Sequence, residues 1–167
     1  MRHALCWPKK VGFMRFIPVA VFLMSLTGPA LAQERQWTID ASDKQAFLVF
    51  GVPDTADVGL SFWCDVGAKS MSMFVPVSVA TARPGQHPKV SAIVGGRTFS
   101  FKSDVEKDQS SGLVNVEVQF DRDGPFHKAV MAADAIAVTV KSEKKSYPLG
   151  DADFAGLNRA CVGEQVN

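Results

Sequence analysis

Apolar positions along this chain recur mostly at a period of two, in short segments separated by turn residues, the pattern of half-buried strands. Trp37 to Asp40 predicts a short first strand. Ala46 to Phe50 (AFLVF) is an uninterrupted apolar run of strand length, suited to burial on both faces, and Gly51-Val52-Pro53-Asp54 supplies turn chemistry after it. Val58 to Asp65 alternates: Val58, Leu60, Phe62 and Cys64 share one face, and Gly59, Ser61, Trp63 and Asp65 the other. Met71, Met73, Val75 and Val77 form the next apolar face, opposite Ser70 and Ser72. Thr81 to Lys89 contains Arg83-Pro84-Gly85 and His87-Pro88 and reads as a loop. Val90 to Val94 and Arg97 to Lys102 flank Gly95-Gly96, a two-residue hairpin signal because glycine tolerates positive φ. Phe99 and Phe101 then face inward. The polar stretch Ser103 to Gly112 separates this hairpin from Leu113 to Phe120. There Val114, Val116, Val118 and Phe120 alternate with Asn115, Glu117 and Gln119, the clearest half-buried strand of the chain.

The period changes after Asp121-Arg122-Asp123-Gly124-Pro125. Pro125 suits the first position of a short helix over Phe126 to Ala133, where its missing N–H costs nothing. Ala135 to Lys141 returns to strand period with Ile136, Val138 and Val140 inward. Ser142-Glu143-Lys144-Lys145 is expected to turn the chain into a short strand ending at Tyr147-Pro148-Leu149. Asp151 is the expected N-cap of a last helix, with Asp153 in its first turn, Arg159 in its last and Gly163 just beyond. Phe154, Leu157 and Cys161 recur at helical spacing on one face. The chain has no internal repeat, low-complexity tract or interdomain linker. The fold class expected is mainly β: a single-domain antiparallel β-sandwich, or flattened barrel, of eight or nine strands, with a short helix and a C-terminal helix.

The first 32 residues follow a different pattern. Arg2, Lys9, Lys10 and Arg15 precede an apolar run from Phe16 to Leu26, a Gly28-Pro29 break and the triplet Ala30-Leu31-Ala32. A basic region, a short apolar region and an A-x-A site in that order predict a secretory signal peptide over residues 1–32, cleaved between Ala32 and Gln33. The alternative, an uncleaved N-terminal anchor, is disfavoured because the run is shorter than the roughly 20 residues of a spanning helix and Pro18 interrupts it; no stable membrane insertion is expected after cleavage. The expected location is periplasmic or secreted, and residues 33–167 form the β-sandwich domain.

Processing changes the composition that matters. The whole chain is 167 residues, 47% hydrophobic and 21% charged, with 18 Lys+Arg against 17 Asp+Glu, which excludes a disordered polyampholyte, a collagenous repeat and a multi-span membrane protein. Without its four leading basic residues the mature chain has 14 Lys+Arg against 17 Asp+Glu, a net charge of −3. That sign argues against a nucleic-acid partner. The 3 cysteines fall to an even pair, Cys64 and Cys161, and such a pair in an exported protein predicts a disulfide. Both lie on apolar faces, one of a strand and one of the last helix, so a buried bridge between helix and sheet follows. A redox-active or metal-binding pair is the alternative, but no C-x-x-C spacing is present and Asp65 beside Cys64 would raise a thiol pKa.

Catalytic chemistry leaves little trace. His87 and His127 are the mature chain's histidines; no H-E-x-x-H spacing accompanies them, and each reads as a solvated loop histidine. No G-x-S-x-G elbow occurs. Asp121 and Asp123 lack the terminal Glu of a calcium loop and suit a turn and helix start. Gly95-Gly96 has no helix behind it to cradle a phosphate. Lys141, Lys144 and Lys145 read as a solvated edge guard, and Met71 and Met73 as core. Trp37 and Trp63 read first as aromatics packed under a loop or the second sheet, with partner contact as the competing functional reading. No cofactor, metal ligand or catalytic residue is predicted.

The layout, with a strand ending in Cys (Leu60-Ser61-Phe62-Trp63-Cys64) and a late Tyr147-Pro148-Leu149 leading into a helix ending in Cys161, resembles small exported proteobacterial proteins of unknown function. It is distantly similar to the type VI secretion-associated periplasmic VasI proteins. The resemblance implies an accessory role beside an envelope machine, with an envelope protein as partner, and brings no catalytic residues. The expected function is a non-catalytic binding or envelope accessory module. A carrier of a small apolar ligand between the sheets is the alternative, and a hydrolase, third, would need His87 or His127 to meet a carboxylate and a nucleophile in one cleft.

Overall fold

The computed structural model describes residues 34–107 and 114–164. The predicted signal peptide and its cleavage site, Leu113 and the later part of the polar stretch lie outside the described residues.

Ten strands and two helices are present among the described residues, one or two strands more than the turn spacing suggests. The strands are β1 (Gln36–Ala41), β2 (Gln45–Gly51), β3 (Val58–Asp65), β4 (Ser70–Val77), β5 (Val90–Val94), β6 (Arg97–Phe101), β7 (Asp104–Lys107), β8 (Val114–Asp121), β9 (Ala135–Val140) and β10 (Glu143–Pro148). Helix α1 (Pro125–Met131) joins β8 to β9, and α2 (Phe154–Cys161) follows β10. Six strands form one antiparallel sheet in the order β1-β2-β3-β4-β8-β7, and four form a second in the order β10-β9-β5-β6. Each sheet keeps two edge strands, so the fold is a sandwich and not a closed barrel.

Alternation builds the core. Leu60, Phe62 and Cys64 of β3, Met71, Met73 and Val75 of β4, and Val116 and Val118 of β8 point inward and meet Val90, Ala92 and Val94 of β5 and Ile136 and Val138 of β9; all are nearly inaccessible to solvent. Phe62 sits at the centre, edge-on to Phe120 and Phe154 and stacked on Trp37. The AFLVF run is buried on one face only. Ala46 and Leu48 enter the core, whereas Phe47 and Val49 stay half-buried on the outside of the sheet. At the β2–β3 bulge, a Cβ on Gly59 would lie 3.2 Å from both the Tyr147 ring and the Phe50 carbonyl oxygen. Glycine there lets the second sheet approach closely.

Local chemistry sets the turns. Gly95 and Gly96 both take positive φ, +54° and +75°, as the β5–β6 hairpin requires. Two expectations shift. β7 lies inside the stretch read as polar loop, because an edge strand needs just one inward residue (Val105, buried) and β8 supplies the pairing. The β9–β10 turn closes at Lys141 and Ser142, with Lys141 at φ +54°, so Glu143 to Lys145 extend in the sheet instead of turning. Lys145 accordingly does not hang in solvent: its Nζ donates to the Pro76 carbonyl and lies 2.8 Å from Glu143 Oε1.

The helices also start where side chains settle their ends. Pro125 is at the N-terminus of α1, as expected. The cap of α2 is Asp153, not Asp151, because a turn closed by Ala152 N–H donating to the Leu149 carbonyl uses up the residues before it. Asp153 Oδ1 accepts from Gly156 N–H at 2.7 Å, and a Cβ at Gly156 would lie 2.2 Å from Asp153 Oδ2. The capping carboxylate therefore occupies the space a side chain would need. Gly163, at φ +86°, ends the helix with backbone bonds from Gly163 and Glu164 to Ala160 and Arg159. Cys64 and Cys161 are bridged, with Cα atoms 5.9 Å apart, and both are buried.

Candidate functional site

Strand parity sends the two candidate tryptophans to opposite faces of the same sheet. Trp37 of β1 turns inward. Its ring packs on Phe50, Phe62 and Phe154, and its indole N–H donates to the Pro148 carbonyl at 2.7 Å. Both its apolar body and its polar tip are thus committed to tying β1 to the end of β10. Trp63 of β3 turns outward and is the middle ring of a stack that crosses three strands. Phe47 of β2 lies 5.9 Å from it at 15°, and Phe74 of β4 lies 5.8 Å from it at 8°. Register explains the stack: Phe47 faces Trp63 directly, and Phe74 sits diagonally beside it, opposite Ser61. Ser61 and Ser72 fill the gaps between the rings and are themselves buried. No described residue accepts a hydrogen bond from the Trp63 indole N–H.

The charged strand positions of that outer face are acidic, although at the β7 edge His87, Lys89 and Lys102 line a cleft together with Asp104, Glu117 and Gln119. Asp40, Asp65, Asp104, Glu106, Glu117 and Asp121 alternate with inward residues of β1, β3, β7 and β8, and no Lys or Arg stands at an outward position of the six strands among the described residues. An aromatic stripe inside an acidic frame can hold an apolar segment flanked by cations. Ring edges supply area at low entropic cost and the carboxylates supply attraction.

The histidines do not behave alike. His87 is exposed, and its Nδ1 lies 2.8 Å from Asp104 Oδ1 and 3.2 Å from the Ser103 carbonyl oxygen, in a cleft of about 620 Å³. Ser103 lines the same cleft, so serine, histidine and aspartate do meet. They are not wired for nucleophilic attack: the buried Ser103 hydroxyl donates to the Pro88 carbonyl, and among the described residues no bond joins it to the imidazole. His127 overturns the reading of a solvated loop residue. It is 3% exposed, packed beside Phe120 and Phe154, with Nδ1 bonded to the Arg122 carbonyl. Burial pulls its pKa below the usual histidine value, against the raising effect of that bond. Its position one turn into α1, on the face that carries Phe126 and Val130 into the core, could have signalled this; the turn-rich residues before it masked the helical period.

A second cleft, of about 590 Å³, opens beside edge strand β10. Phe50, Val58 and Tyr147 floor it, and the ion pairs Arg35–Asp57 and Lys145–Glu143 flank it. Hydrogen bonds from Lys145 and from the Thr81 hydroxyl hold the Glu143 carboxyl down to about 2. Burial raises the Tyr147 hydroxyl to about 12, and no described residue hydrogen-bonds it. No helix among the described residues is long and apolar enough to cross a membrane. In comparison with known proteins, no family model, curated protein or solved structure matches this chain.

Proposed function

We propose that the chain is an exported, non-catalytic binding module, held by the Cys64–Cys161 bridge, that serves an envelope assembly by presenting the outer face of its six-stranded sheet to a protein partner with a basic, apolar surface. The observation that carries this reading is the Phe47–Trp63–Phe74 stack inside a frame of outward acids. Aromatics on a sheet face that point away from the core have no role in filling it, and such residues dominate the energy of protein contacts. The mature chain's net charge and the layout of its two Cys segments support the same reading. So does the commitment of Ser103 to a backbone carbonyl, which leaves the His87–Asp104 pair without an activated nucleophile.

Photo-crosslinking in the periplasm tests it. A crosslinker at Val49 or Gln119, both on the outer face, is expected to capture one reproducible protein, identified by mass spectrometry. Placed at Ile93, on the other sheet, it captures none. Trp63→Ala abolishes capture. Failure to recover any partner from Val49 and Gln119, or recovery that Trp63→Ala leaves unchanged, overturns the proposal.

The Tyr147 cleft favours a second reading, a carrier of a small amphipathic ligand, because a buried hydroxyl without a partner beside an aromatic floor is a ready anchor. Saturable binding of an anilinonaphthalene dye at one per chain, lost in Tyr147→Phe, would support it. Dye binding that is absent or indifferent to that substitution would remove it.

A further inference from the structure

The four-stranded sheet keeps an open edge at β6 that neither reading above uses. Gly95 and Gly96 form a two-residue turn at positive φ, which makes Val94↔Arg97 the hydrogen-bonded pair that closes the hairpin. Bonding alternates along an antiparallel strand, so Arg97, Phe99 and Phe101 turn their backbone groups to β5. The N–H and C=O groups of Thr98 and Ser100 point the other way, to the edge. β6 pairs with β5 alone, and among the described residues no other backbone bond reaches it. Thr98 and Ser100 are both exposed.

The other edges are guarded against strand addition. β10 turns Glu143 and Lys145 inward and ends in Pro148. β7 is four residues long, and Gly85 N–H donates to its Val105 carbonyl at 3.1 Å. β1 carries Asp40 and is tied to the end of β10 by the Trp37 indole. Inward charge, proline, short length and loop cover all blunt an edge. β6 has none of them. Its one charge, Arg97, stands at the hairpin end with the guanidinium 5.1 Å from the centre of the Phe99 ring. Phe99 and Phe101 pack edge-on against Phe126 on the inner side and stay half-buried. The strand also complements itself. Turned antiparallel about a two-fold axis at Phe99, R-T-F-S-F sets Thr98 opposite Ser100 of a second copy, Phe99 opposite Phe99 and Arg97 opposite Phe101. In this register all 5 residues find an opposite number, and the free backbone groups of Thr98 and Ser100 meet one another. Hydroxyl faces hydroxyl, ring faces ring and guanidinium faces ring, each a favourable cross-strand pair. We infer that β6 is a self-pairing edge, through which two copies of this chain join their four-stranded sheets about a two-fold axis.

Sedimentation velocity of the purified disulfide-bonded protein over a concentration series is expected to show a monomer–dimer equilibrium. Residue-resolved hydrogen exchange then reads the register. The Thr98 and Ser100 amides gain protection as dimer accumulates, while those of Arg97, Phe99 and Phe101, already bonded to β5, change little. Ser100→Pro removes an edge N–H that β5 does not use and is expected to abolish the dimer. Thr98→Glu with Ser100→Glu sets two like-charged pairs across the junction and weakens it about tenfold; Thr98→Glu with Ser100→Lys restores it through opposite charges. Both side chains are exposed, so the charge variants probe the contact without disturbing the core. A monomer at every concentration, a dimer whose Thr98 and Ser100 amides exchange as fast as in the monomer, or dimerisation indifferent to the Glu pair would each overturn the assignment. Trp63 stands on the other sheet, so Trp63→Ala, which ends capture of a protein partner, leaves the dimer intact; loss of the dimer in that variant would also overturn it.

Discussion

Replacing both Cys64 and Cys161 by alanine should cost the domain a large share of its stability without erasing its fold. The bridge closes a sequence separation of 97, and the chain-entropy account assigns such a loop about 4.7 kcal/mol, with measured values more often about 2–4 kcal/mol. A domain of this size has about 5–15 kcal/mol in total, so the variant remains folded but close to the threshold. Native geometry at the junction does not depend on the sulfurs alone: Gly67 N–H still donates to the Cys161 carbonyl at 2.7 Å and the Trp37 indole to the Pro148 carbonyl. Alanine is the right substitution because serine would leave two hydroxyls in a dry core. With a urea slope of about 2 kcal/mol per molar, the midpoint should fall by about 1–2 M, followed through tryptophan fluorescence, to which Trp37 and Trp63 both contribute. Disulfide-bonded and variant proteins are compared under identical conditions. An equal midpoint, or a variant that is unfolded before urea is added, would refute the reasoning: the first denies the constraint on the unfolded chain, the second makes the bridge part of the native packing.

Two further outcomes follow from single contacts. Trp37→Phe keeps an aromatic ring against Phe50, Phe62 and Phe154 but leaves the Pro148 carbonyl without its donor; a loss of about 1 kcal/mol or somewhat more in urea unfolding is expected, and no loss would mean that water replaces the indole freely. His127 has its folded-state pKa below 6.5 because burial disfavours the imidazolium. The unfolded chain therefore binds a proton that the folded one refuses, so the contribution is fully present above about pH 6.5 and declines as pH falls through the window below it, by at most about 1.4 kcal/mol per pH unit. Urea titrations between pH 7 and 5 should show this slope in the wild type and lose it in His127→Gln; an unchanged slope in the variant would place the effect elsewhere.

How much of the fold is legible in the sequence depends on how local each feature is. The strands β3, β8 and β9 announce themselves because an inward residue every second position is a property of the strand itself, and the Gly95-Gly96 hairpin because its backbone angles exclude most other residues. The cysteine pair is legible for the same reason, each sulfur lying on an apolar face that must seek the core. β7 and the start of β10 are not, since Asp104 to Lys107 and Glu143 to Lys145 extend only because β8 and β9 offer them hydrogen bonds, and an edge strand needs little apolar character of its own.

The candidate sites divide along the same line. That Trp63 opposes Cys64 across its strand is fixed by the period of two; that Phe47 and Phe74 arrive on either side of it depends on the register of β2 and β4, which no single segment encodes. Likewise, His127 falls on the face of α1 that carries Val130 by spacing alone, whereas the burial of its imidazole beside Phe120 and Phe154 depends on where β8 and α2 pack. Alternation and turn chemistry within the chain thus determined a disulfide-linked β-sandwich. The tertiary structure decided which tryptophan was consumed by the core and which was left facing out, because facing, unlike periodicity, is settled by what lies on the other side.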